Sequence, residues 1–159
     1  MSQETHVIVG AGIAGISAAE SLRSEGFGGR IVVFGKESEP PYERPPLSKQ
    51  WLRDEIPRDA VLLRSAGFYE LNEIELQLDD ALVRIDPAER RVQTRRDRSM
   101  RYDKLLLATG AAPCRLTIPG HELEYIYYLR TMDDCRQLRK QFKNRPRVLN
   151  IGTGFIGVE

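Results

Sequence analysis

A glycine pattern occurs twice in this chain and leaves few folds open to it. Gly10-Ala11-Gly12-Ile13-Ala14-Gly15 and Gly152-Thr153-Gly154-Phe155-Ile156-Gly157 both read GxGxxG, about 140 residues apart. Each follows a short aliphatic run, His6-Val7-Ile8-Val9 in the first case and Arg147-Val148-Leu149-Asn150-Ile151 in the second. Such runs read as buried parallel strands. After the first glycine segment, Ile16, Ala19 and Leu22 recur at helical spacing up to Gly26, a suitable C-terminal stop. Arg30-Ile31-Val32-Val33-Phe34 then reads as a second strand.

The order strand, GxGxxG, helix, strand is that of a dinucleotide-binding unit, and each glycine has a mechanical task in it. Gly10 makes the tight turn, Gly12 lets the backbone approach a pyrophosphate, and Gly15 permits close helix–strand packing. The N–H groups at Ile13 and Ala14, at the positive end of the helix dipole, face the phosphates. An acid is expected about 20 residues further on to hydrogen-bond a ribose. Glu37 is the available carboxylate, and Lys36 before it fits a main-chain contact only.

Composition narrows the remaining classes. The chain has 159 residues, of which 41% are hydrophobic and 30% charged, enough for a core and unlike a disordered segment. Lys and Arg number 24 against 23 Asp and Glu, so no global basic field points to nucleic acid. The longest uncharged stretch, Val7 to Ala19, is too short to span a bilayer, and no basic head precedes it. Cys114 and Cys135 form no CxxC or metal-type cluster and fit a reducing, cytoplasmic setting.

The middle of the chain supplies further elements. In Pro40-Pro41-Tyr42-Glu43-Arg44-Pro45-Pro46-Leu47-Ser48-Lys49 the prolines hold an extended loop, and Pro45-Pro46 can open a short helix with Leu47, Trp51 and Leu52 on its apolar side. A helix is expected over 65–73 and a strand over 74–78. A hairpin is expected from Leu82–Asp86 and Arg90–Thr94 around Pro87-Ala88-Glu89. Arg90, Arg91, Arg95, Arg96, Arg98 and Arg101 make a local basic cluster, partly neutralised by Glu89 and Asp97. It is either a solvated hairpin edge or a docking surface for an acidic partner. Tyr102 to Leu107 reads as a buried strand running into the small-residue turn Ala108-Thr109-Gly110. Thr131 is a good N-cap, with Asp134 completing a capping box, and Cys135, Leu138 and Phe142 line one face of the helix that follows.

The Tyr42-to-Lys49 segment resembles the YERPPLSK-type motif of the FAD-dependent NAD(P)H:ferredoxin reductases that serve bacterial oxygenases, the putidaredoxin- and rubredoxin-reductase relatives. The resemblance implies that Arg44, Pro45 and Lys49 lie against the flavin, where an ammonium would stabilise reduced, negatively charged flavin. It implies a main-chain contact from Leu82 to the adenine, an approach of Ala108, Thr109 and Gly110 to the FAD, and a contact from Arg130. The second glycine segment, with Gly152, Gly154 and Gly157, is similar to the family's GxGxIGxE sequence that receives NAD(P)H.

Related disulfide reductases carry a redox cysteine pair where this chain has Leu47-Ser48-Lys49, so dithiol chemistry has no nucleophile here. The expectation is therefore an NAD(P)H-reduced flavoenzyme passing electrons to a ferredoxin- or rubredoxin-type iron–sulfur protein. No residue is expected to be catalytic beyond the flavin, and no metal, nucleic acid or membrane is expected. The expected fold is α/β: a Rossmann-like, three-layer FAD/NAD(P)-binding fold with a β-hairpin or meander insertion. Residues 1–143 would form the N-terminal portion of the FAD-binding domain, and 144–159 a truncated start of the NAD(P)H-binding domain. Two alternatives stay open: a non-catalytic FAD-binding fragment, and another flavoprotein of the superfamily, such as an apoptosis-inducing-factor-like oxidoreductase.

Overall fold

In the computed structural model, which describes residues 3–143, 147–152 and 154–159, the N-terminal aliphatic run forms an inner strand of a parallel sheet. This strand, β1 (Thr5–Val9), pairs on one side with β2 (Arg30–Phe34) and on the other with β7 (Lys104–Leu107). β3 (Ile74–Gln77) extends the sheet beyond β2, giving the order β3-β2-β1-β7 among the described residues. Helix α1 (Ile13–Ser24) crosses from β1 to β2. An antiparallel meander of β4 (Leu82–Asp86), β5 (Arg91–Thr94) and β6 (Ser99–Arg101) forms the second sheet.

Strand alternation divides the core in two. Ile8, Ile31 and Ile74 face α1 and pack with Ile16 and Ala19, whereas Val7, Val32 and Phe34 face the meander and pack with Val92. Helix, parallel sheet and meander are thus three stacked layers, the expected α/β Rossmann-like architecture with its hairpin insertion. These elements make one compact unit, the chain up to Tyr42 together with Leu62–Gly110. Glu43–Val61 and the chain from Ala111 onward form a second.

Arg23, in the last turn of α1, ties the first unit together. Its guanidinium donates to the carbonyls of Phe27, Gly29, Asn72 and Glu73 at 2.5–2.8 Å. These carbonyls end the turns that enter β2 and β3, so one cation satisfies acceptors from two connections. Arg23→Met should keep the aliphatic stem and lose this network. The expected cost is about 2–3 kcal/mol of unfolding free energy by urea titration.

In the second unit, Pro45–Ser48 is a short 3-10 helix with proline in its first turn, as the sequence suggested. It packs against α3 (Met132–Phe142), which has the expected Thr131/Asp134 capping box. Leu47, Trp51, Met132 and Cys135 are buried there. The Cys135 thiol donates to the Leu47 carbonyl at 3.1 Å, and the guanidiniums of Arg136 and Arg139 lie over the Trp51 ring. Cys135 is thus a core residue.

Several expectations need correction. β7 is an edge strand, with Leu106 and Leu107 42% and 58% exposed, because β1 alone pairs with it among the described residues. An apolar groove lined by Val7, Ala18, Leu22 and Leu105 runs beside it, and no residue of the first glycine turn lines that groove. The helix expected over 65–73 is a single turn, α2 (Phe68–Leu71). Its N-cap, Gly67, offers no capping side chain, and Glu73 turns to φ +50° just beyond it. Arg147–Ile151 forms no strand and is exposed over its length, since no described strand pairs with it. The expected boundary at 143/144 falls against residues 144–146, which lie outside the described residues. Among the described residues no helix is long and apolar enough to cross a membrane.

Candidate dinucleotide site

The first glycine turn sits where β1 ends between β2 and β7. The Gly10 N–H donates to the Phe34 carbonyl at 2.8 Å, and the Ala108 N–H donates to the Val9 carbonyl at 2.8 Å. The turn is therefore laced to both neighbouring strands. Gly10 has φ +119°, and a Cβ there would lie 2.1 Å from the Ala108 carbonyl oxygen. The Ala108-Thr109-Gly110 segment thus passes directly against Gly10, which brings together two segments almost a hundred residues apart in sequence. A Cβ on Gly15 would lie 1.9 Å from the Gly10 carbonyl oxygen, so close packing of α1 on the turn requires glycine there too.

Gly12 differs. Its backbone is extended, and a Cβ there would meet nothing within 4 Å. It is the N-cap of α1, no side chain caps the helix, and Ile13 and Ala14 are exposed. An uncapped twelve-residue helix whose first turn opens onto free space suits an anionic phosphate.

At the end of β2, Lys36 is exposed and Glu37 half-buried. The Glu37 carbonyl accepts the Asp79 N–H at 2.9 Å, and its carboxylate accepts from the Tyr42 hydroxyl at 2.5 Å. Leu82 opens β4, opposite Thr94, beside a bulge. Two acids outside the arginine cluster of the meander meet part of it. Arg96 pairs with Asp79, and Arg98 lies 3.7 Å from the buried Asp80, whereas Asp97 is engaged by Gln93.

The second unit gathers the other expected residues. Arg44 precedes the Pro45 turn and donates from Nη1 to the Arg130 carbonyl at 2.6 Å. The Arg130 N–H is held by Asp134, while its Nε is buried without a hydrogen-bond partner. A buried donor left unsatisfied costs about 1–3 kcal/mol, so Arg130 is poised for an acceptor that a ligand could bring.

Lys49 and Ser48 both reach Glu159. The Lys49 ammonium lies 2.9 Å from Oε1, and the Ser48 hydroxyl donates to Oε2 at 2.5 Å. First the serine and then the lysine hold the Glu159 carboxyl below its ordinary range. The interaction is therefore present above the carboxylate's ordinary range and is lost as pH falls through the lowered value.

At its described glycines the second turn has backbone features of the first, although Gly152 has open space where Gly10 meets Ala108. Gly152 has φ +122°, and a Cβ on Gly157 would lie 2.3 Å from the Gly152 carbonyl oxygen. Gly154 is an extended N-cap, for α4 (Phe155–Val158), with open space at its Cβ position. The Asn150 amide donates to the carbonyls of Gly152 and Gly157, at 2.8 and 2.7 Å.

Ser48 and Glu159 were not singled out as site residues from sequence. The serine stands inside the proline motif, and the glutamate closes the second glycine motif, but nothing local joins positions so far apart.

Cys114 is exposed and Cys135 buried, and both are free thiols. Burial pushes the Cys135 thiol from 9.0 up to about 11. Its buried neutral form supports the fold below its ordinary pKa, and that support fades as pH rises toward the folded value. Titration of the native protein with a chromogenic disulfide at pH 8 should find one fast thiol, Cys114. The second should appear only on unfolding.

Two glycine turns alike at their described glycines, the first inside a strand–turn–helix–strand unit with an acid after its second strand, define a dinucleotide-binding protein. The chain belongs to the pyridine nucleotide-disulphide oxidoreductase family, whose sequence model matches residues 4–159. It is 44% identical over 153 residues to a rubredoxin-NAD(+) reductase of Ectopseudomonas oleovorans, covering 96% of this chain and 40% of that protein. It is 41% identical to the rhodocoxin reductase of Rhodococcus erythropolis, over 96% of this chain and 36% of that protein. The crystal structure of a ferredoxin reductase from Rhodopseudomonas palustris superposes with a TM-score of 0.92 at 38% identity, over 97% of this chain and 38% of that one. Putidaredoxin reductase, in its covalent complex with putidaredoxin, gives 0.83 at 32% identity, over 89% and 35%. The chain thus spans well under half the length of the relatives it matches.

Proposed function

We propose that this chain is the FAD-binding part of an NAD(P)H-dependent reductase that passes electrons to a ferredoxin- or rubredoxin-type iron–sulfur protein. The observation that carries the reading is the first glycine turn. A Cβ on Gly10 or Gly15 would run into a main-chain carbonyl, whereas Gly12 and the α1 N-terminus face open space. The residues fit the group. Gly12, Ile13 and Ala14 would take the pyrophosphate, Glu37 the ribose, the Leu82 main chain the adenine, and Ala108, Thr109 and Gly110 would close the turn. Arg130 would satisfy its buried Nε on the cofactor, and Arg44 and Lys49 would place cationic groups for the flavin.

FAD, when bound, supplies the conversion between hydride transfer from a nicotinamide and single-electron transfer. The polypeptide binds, orients and tunes. Lys49 provides positive charge, and Glu159 fixes its ammonium. Leu47-Ser48-Lys49 holds no cysteine for dithiol chemistry, which favours direct delivery to an external acceptor. The repeated turn at Gly152, Gly154 and Gly157 supports NAD(P)H as the donor. Curated relatives of this chain are named as reductases of rubredoxin, rhodocoxin or ferredoxin, and this favours the iron–sulfur acceptor over a quinone or oxygen. Two free cysteines fit the cytoplasm.

Anaerobic addition of NADH or NADPH to the FAD-loaded protein, followed by oxidised ferredoxin or rubredoxin, tests the reading. Flavin bleaching followed by reoxidation with stoichiometric reduction of the iron–sulfur protein is expected. Reoxidation only by quinone or oxygen would favour the apoptosis-inducing-factor-like reading. FAD binding with no bleaching at all would favour a non-catalytic module.

A further inference from the structure

We propose that Tyr42 is a positioning residue for the dinucleotide ribose, holding the Glu37 carboxylate in the orientation that meets the sugar hydroxyls. The inference rests on the FAD reading above and deepens it. Glu37 leaves β2 just beyond Gly35, and the turn that follows β3 clamps its backbone. The Asp79 N–H donates to the Glu37 carbonyl at 2.9 Å, and the Asp80 N–H donates to the Gly35 carbonyl at 3.1 Å. The backbone is thereby fixed, but a glutamate side chain still has three torsions to order. Its Oε2 accepts a hydrogen bond from the Tyr42 hydroxyl at 2.5 Å.

The asymmetry of the pair sets the direction of control. Tyr42 is 6% exposed and follows Pro41, which is fully buried. Its backbone bridges to Leu62, and the Leu63 N–H donates to the Pro41 carbonyl at 2.9 Å. The phenol is therefore a rigid post, and the half-buried Glu37 carboxylate is set against it. A ribose acid must present its oxygens in a defined plane, and a group preorganised before binding has less freedom to lose when ligand arrives. The bland alternative is that Glu37 serves Tyr42, giving a buried hydroxyl its obligatory partner.

A double-mutant cycle on FAD affinity separates the two. Flavin-stripped wild type, Tyr42→Phe, Glu37→Gln and the double variant are each titrated with FAD by flavin fluorescence, and thermal midpoints are recorded without flavin. If Tyr42 acts through Glu37, Tyr42→Phe weakens FAD binding about 10-fold, and Glu37→Gln at least as much. The double variant then binds no more weakly than Glu37→Gln alone. An unchanged affinity in Tyr42→Phe, or the same weakening in both Glu37 backgrounds, overturns the inference while leaving the FAD reading intact. Wild type that binds no FAD overturns the FAD reading and the inference with it.

Discussion

Gly10→Ala should cost about 4 kcal/mol of stability and abolish flavin binding with it. The alanine Cβ would stand 2.1 Å from the Ala108 carbonyl oxygen, a main-chain atom held by the Ala108 N–H bond to Val9. Gly10 is also held at φ +119°, where an L side chain is strained whatever space surrounds it. Neither side can yield without unpairing the end of β1 from β7 or from β2. Losses of this size belong to a short list of mechanisms, and strain at a special backbone conformation combined with main-chain overlap is among them. Denaturant titration of the flavin-free variant checks the figure. A loss under about 1 kcal/mol would mean that the Ala108 turn can move aside.

Gly12→Val should do the opposite, leaving the fold nearly intact while weakening FAD binding about 100-fold. The extended backbone at Gly12 suits a β-branched residue, and no protein atom lies within 4 Å of the position its Cβ would take. Loss of the glycine N-cap should cost about 1 kcal/mol. The valine side chain would, however, fill the space through which a pyrophosphate approaches the first turn of α1. Two glycines two residues apart therefore separate folding from binding: one variant loses both and the other only binding. Thermal midpoint and FAD dissociation constant, measured on both, give the comparison. A Gly12→Val protein with wild-type affinity would place the cofactor elsewhere.

What could be read from the chain beforehand was what local chemistry determines. The β1–turn–α1–β2 unit was readable because a β-branched run, a glycine turn and a helical repeat follow one another without gaps. The Thr131 cap was equally local, since both partners lie within one turn. The exposure of β7 was not readable. Leu105, Leu106 and Leu107 have the composition of a buried strand, and only the order of strands in the sheet makes this one an edge. The Arg147–Ile151 run shows the same limit, since a strand exists only where another pairs with it. In the candidate site, the glycines announced themselves, but the Glu159 contacts to Ser48 and Lys49 join segments 110 or more residues apart in sequence. The link from Tyr42 to Glu37 spans only five residues, yet it depends on a bend after β2 that no periodicity encodes.

The central claim is that the first glycine turn of this chain holds FAD. Titration of the flavin-stripped protein with FAD, followed by quenching of flavin fluorescence, tests it most directly. Saturation at one FAD per chain, with FMN a much poorer ligand because it lacks the adenosine half that Glu37 and Leu82 would hold, is the expected result. Quenching that never saturates, or equal affinity for FMN and FAD, would contradict it.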